Sequence, residues 1–436
     1  MELEILKYKL MSKQIQSEMK LSKKQDEAFT IMTRGENIFL TGVAGSGKTS
    51  CIKLFMNVFN TEKIMGITST TGISALLFGG VTLHSFLGIG LGTDSKETII
   101  SKLYKRPHLR KRWKDIEVLI IDEISMLSPE LFDKLEHVAR KIRFDESPFG
   151  GIQLILSGDF LQLPCVNSDK FCFEADSWND CIKKTVYLDE IMRQKSGDFQ
   201  ECLNNIRLGI TNKETRKLLK SRIGVELKND FGIKPTRLYS TNYSVNEVNT
   251  QELYKLAETG VEFYEYNLEI KFYQGIKDKE IIIEKYKKNC NAESCLQLCI
   301  GAQVMLLYNM DIIDGLVNGS RGVVVNFIED IPLVKFLNGR EVLVDYHIWE
   351  LEECEKKILK CIQIPLKLAY AITQHKSQGM TLDYVELDLA NVFDFGMAYV
   401  ALSRVKTIEG LSIIAIDFDK ITANPKAVKY YEDLNN

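Results

Sequence analysis

Residues 42–49 read Gly-Val-Ala-Gly-Ser-Gly-Lys-Thr, and they determine how the first part of the chain is expected to fold. They follow an apolar run at 38–40 and open a segment whose apolar residues (52, 54, 55 and 58) have helical spacing. A glycine-rich turn between a buried strand and a helix directs backbone N–H groups and the positive helix end at one point, where phosphate binds. The predicted nucleotide site comprises Gly42, Val43, Ala44, Gly45, Ser46, Gly47, Lys48 and Thr49. In it, Lys48 reaches the β and γ phosphates, and the Thr49 hydroxyl holds Mg²⁺.

A second apolar run, Val-Leu-Ile-Ile at 118–121, ends in the acids Asp122 and Glu123. In a P-loop NTPase, an acid at this strand end holds Mg²⁺ through water, and a neighbouring acid activates the attacking water. Acids after a buried strand also serve as helix caps. Together with the phosphate loop upstream, the pair predicts hydrolysis of ATP, with Asp122 near the metal and Glu123 as the general base.

Two glutamines are candidates for contacts with the nucleotide. Gln162 lies in Gly-Asp-Phe-Leu-Gln-Leu-Pro, directly after the apolar strand pattern at 152–157, where it could contact both the γ-phosphate and the water. This order of strand, acid and glutamine is typical of nucleic-acid translocases. Gln25 precedes the phosphate loop in a helix that Ser22 would cap. Its amide offers a paired donor and acceptor to the adenine edge, although an ordinary surface glutamine is the alternative.

The composition is that of a globular protein whose partners are not obvious from its charge. The 436 residues are 45% apolar and 26% charged, a length that predicts two to four domains. No apolar run approaches the roughly 20 residues of a membrane span, and residues 1–21 lack the apolar core of a signal peptide. We therefore expect an intracellular, soluble protein, with its ten cysteines reduced. Because the net charge is −3, any DNA site must be a local groove.

Several residues are candidates for contacts with nucleic acid in the first half of the chain. Thr71 follows the strand pattern at 64–68, and small hydroxyl residues at such strand ends can hold phosphates. His84 and Phe86 could stack on bases, or they could belong to a capped helix with a buried ring. Residues 102–114 contain seven basic residues, which indicate either a DNA-facing patch or a solvated helix face.

The second half of the chain contains short β patterns and three further candidate segments. Strand patterns separated by glycine turns occupy residues 303–363 and predict a small antiparallel barrel. His375 and Lys376 lie in Gln-His-Lys-Ser-Gln-Gly and could hold backbone phosphates of DNA. Arg404, in Tyr-Val-Ala-Leu-Ser-Arg, and Arg193 are candidate arginine fingers, although a lone arginine such as Arg193 is usually a surface residue.

The motifs occur in the order found in superfamily 1 helicases. These motifs are Thr-Gly-Val-Ala-Gly-Ser-Gly-Lys-Thr, Ile-Asp-Glu-Ile-Ser-Met, Gly-Asp-Phe-Leu-Gln-Leu-Pro, His-Lys-Ser-Gln-Gly and Tyr-Val-Ala-Leu-Ser-Arg. Residues 131–136 and 148–154, together with Gly-Leu-Val-Asn-Gly-Ser-Arg-Gly at 315–322, resemble the Pif-one (petite integration frequency) family of DNA helicases. The likeness extends over roughly residues 20 to 430, and Cys165 stands where the family usually has a second proline.

The resemblance implies an α/β fold with two RecA-like P-loop domains, parallel sheets flanked by helices. The implied domains are 1–185 with a wedge element at about 87–105, 186–302, an SH3-like β subdomain at 303–363, and 364–436. It implies a monomeric core that binds ATP and Mg²⁺ and moves 5′ to 3′ on single-stranded DNA, opening forked duplexes in replication, recombination, repair or telomere maintenance. A nuclear or other DNA-containing compartment would suit it.

The family roles carry over to residues already singled out. They are Gln25 for adenine, Gly45, Gly47, Lys48 and Thr49 for phosphate and Mg²⁺, Asp122 and Glu123 for Mg²⁺ and the base, Gln162 for the γ-phosphate, Arg193 and Arg404 as fingers, and Thr71, His84, Phe86, His375 and Lys376 for DNA. A DNA-stimulated ATPase that translocates without unwinding, and an RNA helicase, are the alternative functions.

Overall fold

The computed structural model describes residues 21–77, 79–165, 168–190, 197–227, 234–239, 242–276, 279–280, 282–283, 292–308, 310–311, 316, 318–353, 356–378, 380 and 382–435. The chain divides into two compact units. The first unit contains Met1–Phe160 and Pro164–Lys195, and the second contains Leu161–Leu163 and Ser196–Asn436. Among the described residues, no helix has the length and apolar character needed to cross a membrane.

The first unit is built on a six-stranded parallel sheet with the order β3-β2-β4-β5-β1-β6. The strands are β1 (Ile38–Gly42), β2 (Met65–Ser69), β3 (Val81–Thr82), β4 (Val118–Asp122), β5 (Gln153–Ser157) and β6 (Lys184–Leu188). β1, β4 and β5 are buried along their whole length, as expected for parallel strands covered on both faces. β6 pairs with β1 from Lys184 to Leu188, so the first unit continues past the boundary that the sequence indicated at residue 185.

Helices cover both faces of this sheet. They are α1 (Lys23–Thr33), α2 (Lys48–Phe59), α3 (Gly72–Leu77), α4 (Leu83–Leu87), α5 (Lys96–Tyr104), α6 (Pro107–Asp115), α7 (Pro129–Arg143) and α8 (Trp178–Cys181). On one face, α1 and α2 bury apolar side chains against Ile38 and Leu40 of β1. On the other face, Phe39 contacts the ring of Trp178, which in turn contacts Phe132 of α7.

A guanidinium fixes the position of α6 against α7. Arg143, the last residue of α7, donates through Nη1 to the carbonyl oxygens of Trp113, Lys114 and Ile116 at 2.7–2.9 Å. Its Nε donates to the carbonyl of Gly150 at 2.5 Å. A cation is favourable there because the C-terminal carbonyls of a helix carry partial negative charge.

The second unit contains a parallel sheet of its own, with the order β18-β7-β19-β20. Its strands are β7 (Thr236–Tyr239), β18 (Ala371–Thr373), β19 (Val385–Leu389) and β20 (Leu411–Ile416). The helices of this unit are α9 (Gly197–Arg207), α10 (Lys213–Lys220), α11 (Asn242–Ala257), α12 (Gln374–Ser377), α13 (Met397–Leu402) and α14 (Pro425–Asn435). Two units that each contain a parallel sheet and helices confirm the predicted α/β class.

Antiparallel strands between β7 and β18 form a separate β-rich part of the second unit. The strands are β8 (Phe263–Asn267), β9 (Glu269–Phe272), β10 (Cys295–Cys299), β11 (Gln303–Leu306), β12 (Arg321–Ile328), β13 (Ile331–Phe336), β14 (Glu341–Leu343), β15 (His347–Glu353), β16 (Lys356–Gln363) and β17 (Leu366–Leu368). They pair as β14-β13-β12-β11-β17, β15-β16-β9 and β10-β8. The β-rich part thus begins before residue 303, because β9 pairs with β16 and residues of β8 and β10 share a core with β11 and β12.

Candidate nucleotide-hydrolysis site

The phosphate loop connects β1 to α2 in the first unit, as its sequence predicts. Gly45 and Gly47 have φ of 80° and 85°, in the left-handed region that glycine adopts without strain, and Gly47 is the N-cap of α2. Lys48 is the first residue of α2, and its Nζ donates to the carbonyls of Gly42 (2.8 Å) and Val43 (3.0 Å). The ammonium group is therefore held over the loop.

A glycine is required at position 42 because β1 packs closely against β6 there. A Cβ placed on Gly42 would lie 2.1 Å from the carbonyl oxygen of Leu188, and its φ is +138°. No other residue fits there without moving β1 away from β6. The position of the loop is thus set by the pairing of these two strands.

The donor groups around the loop suit a phosphorylated ligand and a hard cation. The hydroxyl oxygens of Ser46 and Ser125 are buried and lack a hydrogen-bond partner among the described residues. Such orphaned groups in a native structure call for a ligand, an ion or a water. The Thr49 hydroxyl and the Asp122 carboxylate are oxygen ligands, which Mg²⁺ prefers. The residues present therefore fit both ATP and Mg²⁺.

Asp122 and Glu123 lie at the carboxyl end of β4, the edge of the sheet at which the phosphate loop follows β1. Asp122 is 7% exposed, and burial raises the pKa of its carboxyl. The neighbouring Ser157 hydroxyl, a hydrogen bond from the Glu123 backbone and the charge of Lys48 oppose that rise in pKa. The effect of Lys48 on this carboxyl indicates that the two motifs meet in one site.

Glu123 has a backbone conformation that is uncommon for its residue type. Its φ is +54°, in the left-handed region, where a non-glycine residue is strained. Thr70 supports this conformation, since its hydroxyl donates to the Glu123 carbonyl at 2.8 Å and its N–H to the Asp122 carbonyl at 3.2 Å. The small hydroxyl residues that follow β2 are visible in the sequence, but the support that Thr70 gives to the end of β4 is visible only in the structure.

The amide of Gln25 makes two hydrogen bonds within the first unit. Its Oε1 accepts from the backbone N–H of Ser22 at 3.0 Å, which completes a capping box at the start of α1. Its Nε2 donates to the carbonyl of Ser46, in the phosphate loop, at 3.2 Å. Gln25 is 5% exposed, so it is not the surface glutamine of the alternative interpretation.

The three DNA-contact candidates of the first unit follow the carboxyl ends of β2 and β3. The Thr71 hydroxyl accepts from the N–H of Ser74 at 3.2 Å and thereby caps α3. His84, in α4, is half-buried, and burial lowers the pKa of its imidazole. The guanidinium of Arg112 lies 5.1 Å from the ring centroid of Phe86 and donates to the Phe86 carbonyl at 2.7 Å.

The basic residues at 102–114 make several contacts within the first unit. Besides the contacts of Arg112, Lys102 pairs with Asp94 at 2.5 Å. Arg110 lies 5.3 Å from the ring centroid of Tyr104, and Lys114 lies 5.3 Å from that of Phe144. The sequence left open whether these basic residues form a DNA-facing patch or a solvated helix face. The contacts show that part of their charge interacts with other groups of the first unit.

The remaining candidates belong to the second unit or fall outside the described residues. Gln162 is 6% exposed and lies in the segment Leu161–Leu163, which groups with the second unit. Arg404 is 2% exposed and donates to the carbonyl of Val400 through Nε at 2.8 Å. Arg193 lies outside the described residues. The described part of the structure also excludes the side chains of His375 and Lys376, whose backbone forms α12.

Sequence comparisons identify the family. A family model described as PIF1-like helicase matches residues 20–217, and one described as DNA helicase Pif1, 2B domain, matches residues 283–327. An uncharacterized protein, 030L, of invertebrate iridescent virus 6 is 38% identical over 96% of this chain and 95% of its own length. The ATP-dependent DNA helicase PIF1 of Xenopus laevis is 40% identical over 96% of this chain. This chain spans 65% of the length of that helicase.

Solved structures agree with the sequence comparisons. The crystal structure of Pif1 helicase from Candida albicans has a TM-score of 0.83 and 35% identity, covering 95% of this chain and 99% of that one. A Bacteroides Pif1 helicase in complex with ADP-AlF3 and single-stranded DNA has a TM-score of 0.70 and 29% identity, covering 95% and 97%. The match in sequence and in fold extends over nearly the whole chain, and we conclude that this protein belongs to the PIF1-like helicase family.

Proposed function

We propose that this protein is an ATP-dependent DNA helicase that moves 5′ to 3′ on single-stranded DNA and separates the strands of duplex DNA. The observation that carries the proposal is the meeting of Lys48 with Asp122 at one edge of the first sheet, with Glu123 beside them. A phosphate loop alone binds nucleotide, whereas an added buried carboxylate pair provides for hydrolysis. Membership of the helicase family supports coupling of that hydrolysis to DNA.

Within the first unit, each group has a distinct part in hydrolysis. Lys48 neutralises phosphate charge after leaving the two loop carbonyls that now accept its hydrogen bonds. Thr49 and Asp122 would hold Mg²⁺, which would neutralise negative charge that develops on the phosphate oxygens. Glu123 accepts the proton of the attacking water, a contribution of about 10² to 10⁴ in rate. Gln25 carries the adenine contact while its other hydrogen bonds tie α1 to the loop.

Residues elsewhere in the chain complete the proposed cycle. Gln162 contacts the γ-phosphate, and Arg193 and Arg404 act as arginine fingers. Such fingers contribute about 10³ to 10⁵ in rate in other nucleotide hydrolases. Turnover would therefore depend on their arrival at the nucleotide. The proposed DNA contacts are Thr71, His84, Phe86, His375 and Lys376.

The energy of ATP is adequate for strand separation. A base-pair step of DNA has a stacking free energy of about 1.4 kcal/mol on average. Hydrolysis of one ATP for each nucleotide advanced would supply more than this. The Bacteroides neighbour that was crystallised with single-stranded DNA supports DNA as the track. The proposed setting is a DNA-containing compartment, in replication, recombination, repair or telomere maintenance.

Three substrates test the proposal directly. They are a duplex with a 5′ single-stranded tail, a duplex with a 3′ tail, and an all-RNA version of the first. With ATP and Mg²⁺, we expect strand separation of the 5′-tailed DNA alone, and none by the Lys48→Ala variant. Hydrolysis stimulated by single strands without opening of any duplex would instead identify a translocase. Opening of the RNA duplex would identify an RNA helicase, and opening of the 3′-tailed DNA would reverse the polarity.

A further inference from the structure

Arg321 is a buried cation at the boundary between the β-rich part and the parallel sheet of the second unit. It is the first residue of β12 and is 3% exposed. Its Nη1 donates to the hydroxyl of Thr236, the first residue of β7, at 2.6 Å. The same nitrogen lies 3.3 Å from the carbonyl of Tyr384, which directly precedes β19. One side chain of the antiparallel sheet thus contacts β7 of the parallel sheet and the residue that precedes β19.

This cation is costly to bury, and its contacts do not offset the cost fully. Its Nη2 has no hydrogen-bond partner among the described residues. Burial lowers the pKa of the guanidinium to about 10, even though the charge of Asp383 favours the protonated form. A buried cation bonded only to neutral oxygens contributes little net stability. A role in fixing geometry explains its presence better than a role in stability.

The chain segment that Arg321 contacts also holds the finger candidate Arg404. The Arg404 Nη1 lies 3.4 Å from the carbonyl of Met380. The backbone N–H of Leu382 donates to the Arg404 carbonyl at 2.8 Å, and Leu382 forms a parallel bridge with Val405. Each side of Leu382 therefore contacts a buried arginine. Met380 contacts Arg404, and Tyr384 contacts Arg321.

The segment has little freedom to move independently. A Cβ placed on Gly410 would lie 2.0 Å from the carbonyl oxygen of Asp383, so the backbones are in contact there. Asp383 also pairs with Lys406 at 2.6 Å. We therefore expect a shift at Tyr384 to displace the backbone of Arg404 as well.

We propose that Arg321 is a positioning residue, which couples the β-rich part of the second unit to the arginine finger Arg404 through Met380 and residues 382–384. The inference rests on the proposed function, because it requires Arg404 to act on the nucleotide. Arg321 itself does not contact the nucleotide in this scheme.

A double-mutant cycle on the full-length protein tests the inference. We measure kcat and KM for ATP with saturating single-stranded DNA for the wild type, Arg321→Met, Arg404→Ala and the double variant. We expect Arg321→Met to lower kcat about 3- to 30-fold, the range typical of residues that modulate coupling between sites. Arg321→Lys should recover part of the loss because it retains the charge. In the Arg404→Ala background, Arg321→Met should have no further effect.

Two further variants separate coupling from folding. Arg340→Met removes an exposed arginine between β13 and β14 in the same β-rich part, and its kcat should equal that of the wild type. Thr236→Val removes the hydroxyl acceptor of Arg321 without removing a charge, so it gives a second measurement if Arg321→Met folds poorly. We expect it to lower kcat in the wild-type background and not in the Arg404→Ala background.

The failures of the inference and of the proposed function are distinguishable. If Arg321→Met lowers kcat by the same factor with and without Arg404, the inference is overturned while the helicase proposal stands. If Arg404→Ala retains the kcat of the wild type, both the finger assignment and the inference are wrong. If the wild type hydrolyses ATP without any response to DNA, the proposed function itself is refuted.

Discussion

Substitution of Gly42 by alanine gives the sharpest test of how the phosphate loop is positioned. The new Cβ would lie 2.1 Å from the Leu188 carbonyl oxygen, a distance that must increase by about 1 Å before the contact is tolerable. Overpacking of this kind typically costs about 1–3 kcal/mol. The φ of +138° adds strain of about 1–2 kcal/mol. We therefore expect Gly42→Ala to lower the free energy of unfolding of the first unit by about 2–5 kcal/mol.

Gly35→Ala is the matched control for this experiment. Gly35 also has a positive φ, +77°, but nothing lies within 4 Å of a Cβ built there. It should therefore lose only about 1–2 kcal/mol, the cost of backbone strain alone. Urea unfolding followed by tryptophan fluorescence suits the measurement, since Trp113 and Trp178 are buried in the first unit. Equal losses for the two variants would refute the argument that the pairing of β1 with β6 sets the loop.

A reduced affinity for ATP should accompany the loss of stability in Gly42→Ala. Gly42 is the first residue of the loop and the last of β1, so separation of β1 from β6 displaces the backbone N–H groups that would bind phosphate. Equilibrium binding of a fluorescent ATP analogue checks this expectation. Gly35→Ala, in the turn after α1, should bind the analogue as the wild type does.

Three further outcomes follow from the first unit. Glu123→Gln should bind ATP and single-stranded DNA as the wild type does while its kcat falls about 10²- to 10⁴-fold, because the general base is lost; normal turnover in a steady-state assay would remove that assignment. Burial lowers the pKa of His84 in the folded state. As the pH falls, the unfolded state therefore takes up a proton on this imidazole before the folded state does. The stability due to His84 consequently declines as the pH drops through about 6.5. His84→Gln should therefore show a shallower loss of stability between about pH 7 and 5 in urea titrations, and identical slopes would contradict the shift in pKa. Arg143→Met should destabilise the first unit by about 2–4 kcal/mol, because charged hydrogen bonds to four carbonyls are lost. Arg143→Lys should have an intermediate effect. A loss below about 1 kcal/mol for Arg143→Met would show that α6 is fixed by other contacts.

The sequence predicted those parts of the site that are local in the chain. The loop at 42–49 and the acids after β4 each lie within a short segment whose residue spacing determines its structure. Glycines and a lysine at this spacing also have few interpretations other than a phosphate-binding loop. The family and the α/β class followed from the order of such segments, and the comparisons confirm both.

Features that depend on contacts between distant residues could not be predicted in this way. The hydrogen bond from the Gln25 amide to the Ser46 carbonyl depends on where the loop, 21 residues later in the chain, returns to α1. Nothing in the sequence marks Arg143 as special, and only the structure brings it to the carbonyls of residues 113, 114 and 116. Likewise, β9 is a four-residue strand with charged residues, and only its pairing with β16 places it in the β-rich part.

The order of strands in the first sheet also has a consequence for synthesis of the protein. β1 lies between β5 and β6, so the strand that precedes the phosphate loop gains its second neighbour only when Lys184–Leu188 has been made. At the usual pace of about 5–20 residues per second, the ribosome needs on the order of ten seconds to cover that interval. During that time at least one edge of β1 carries unpaired backbone groups, which in other proteins promote aggregation. A nascent chain truncated before residue 184 should accordingly depend more on chaperones than one truncated after the first unit ends at Lys195.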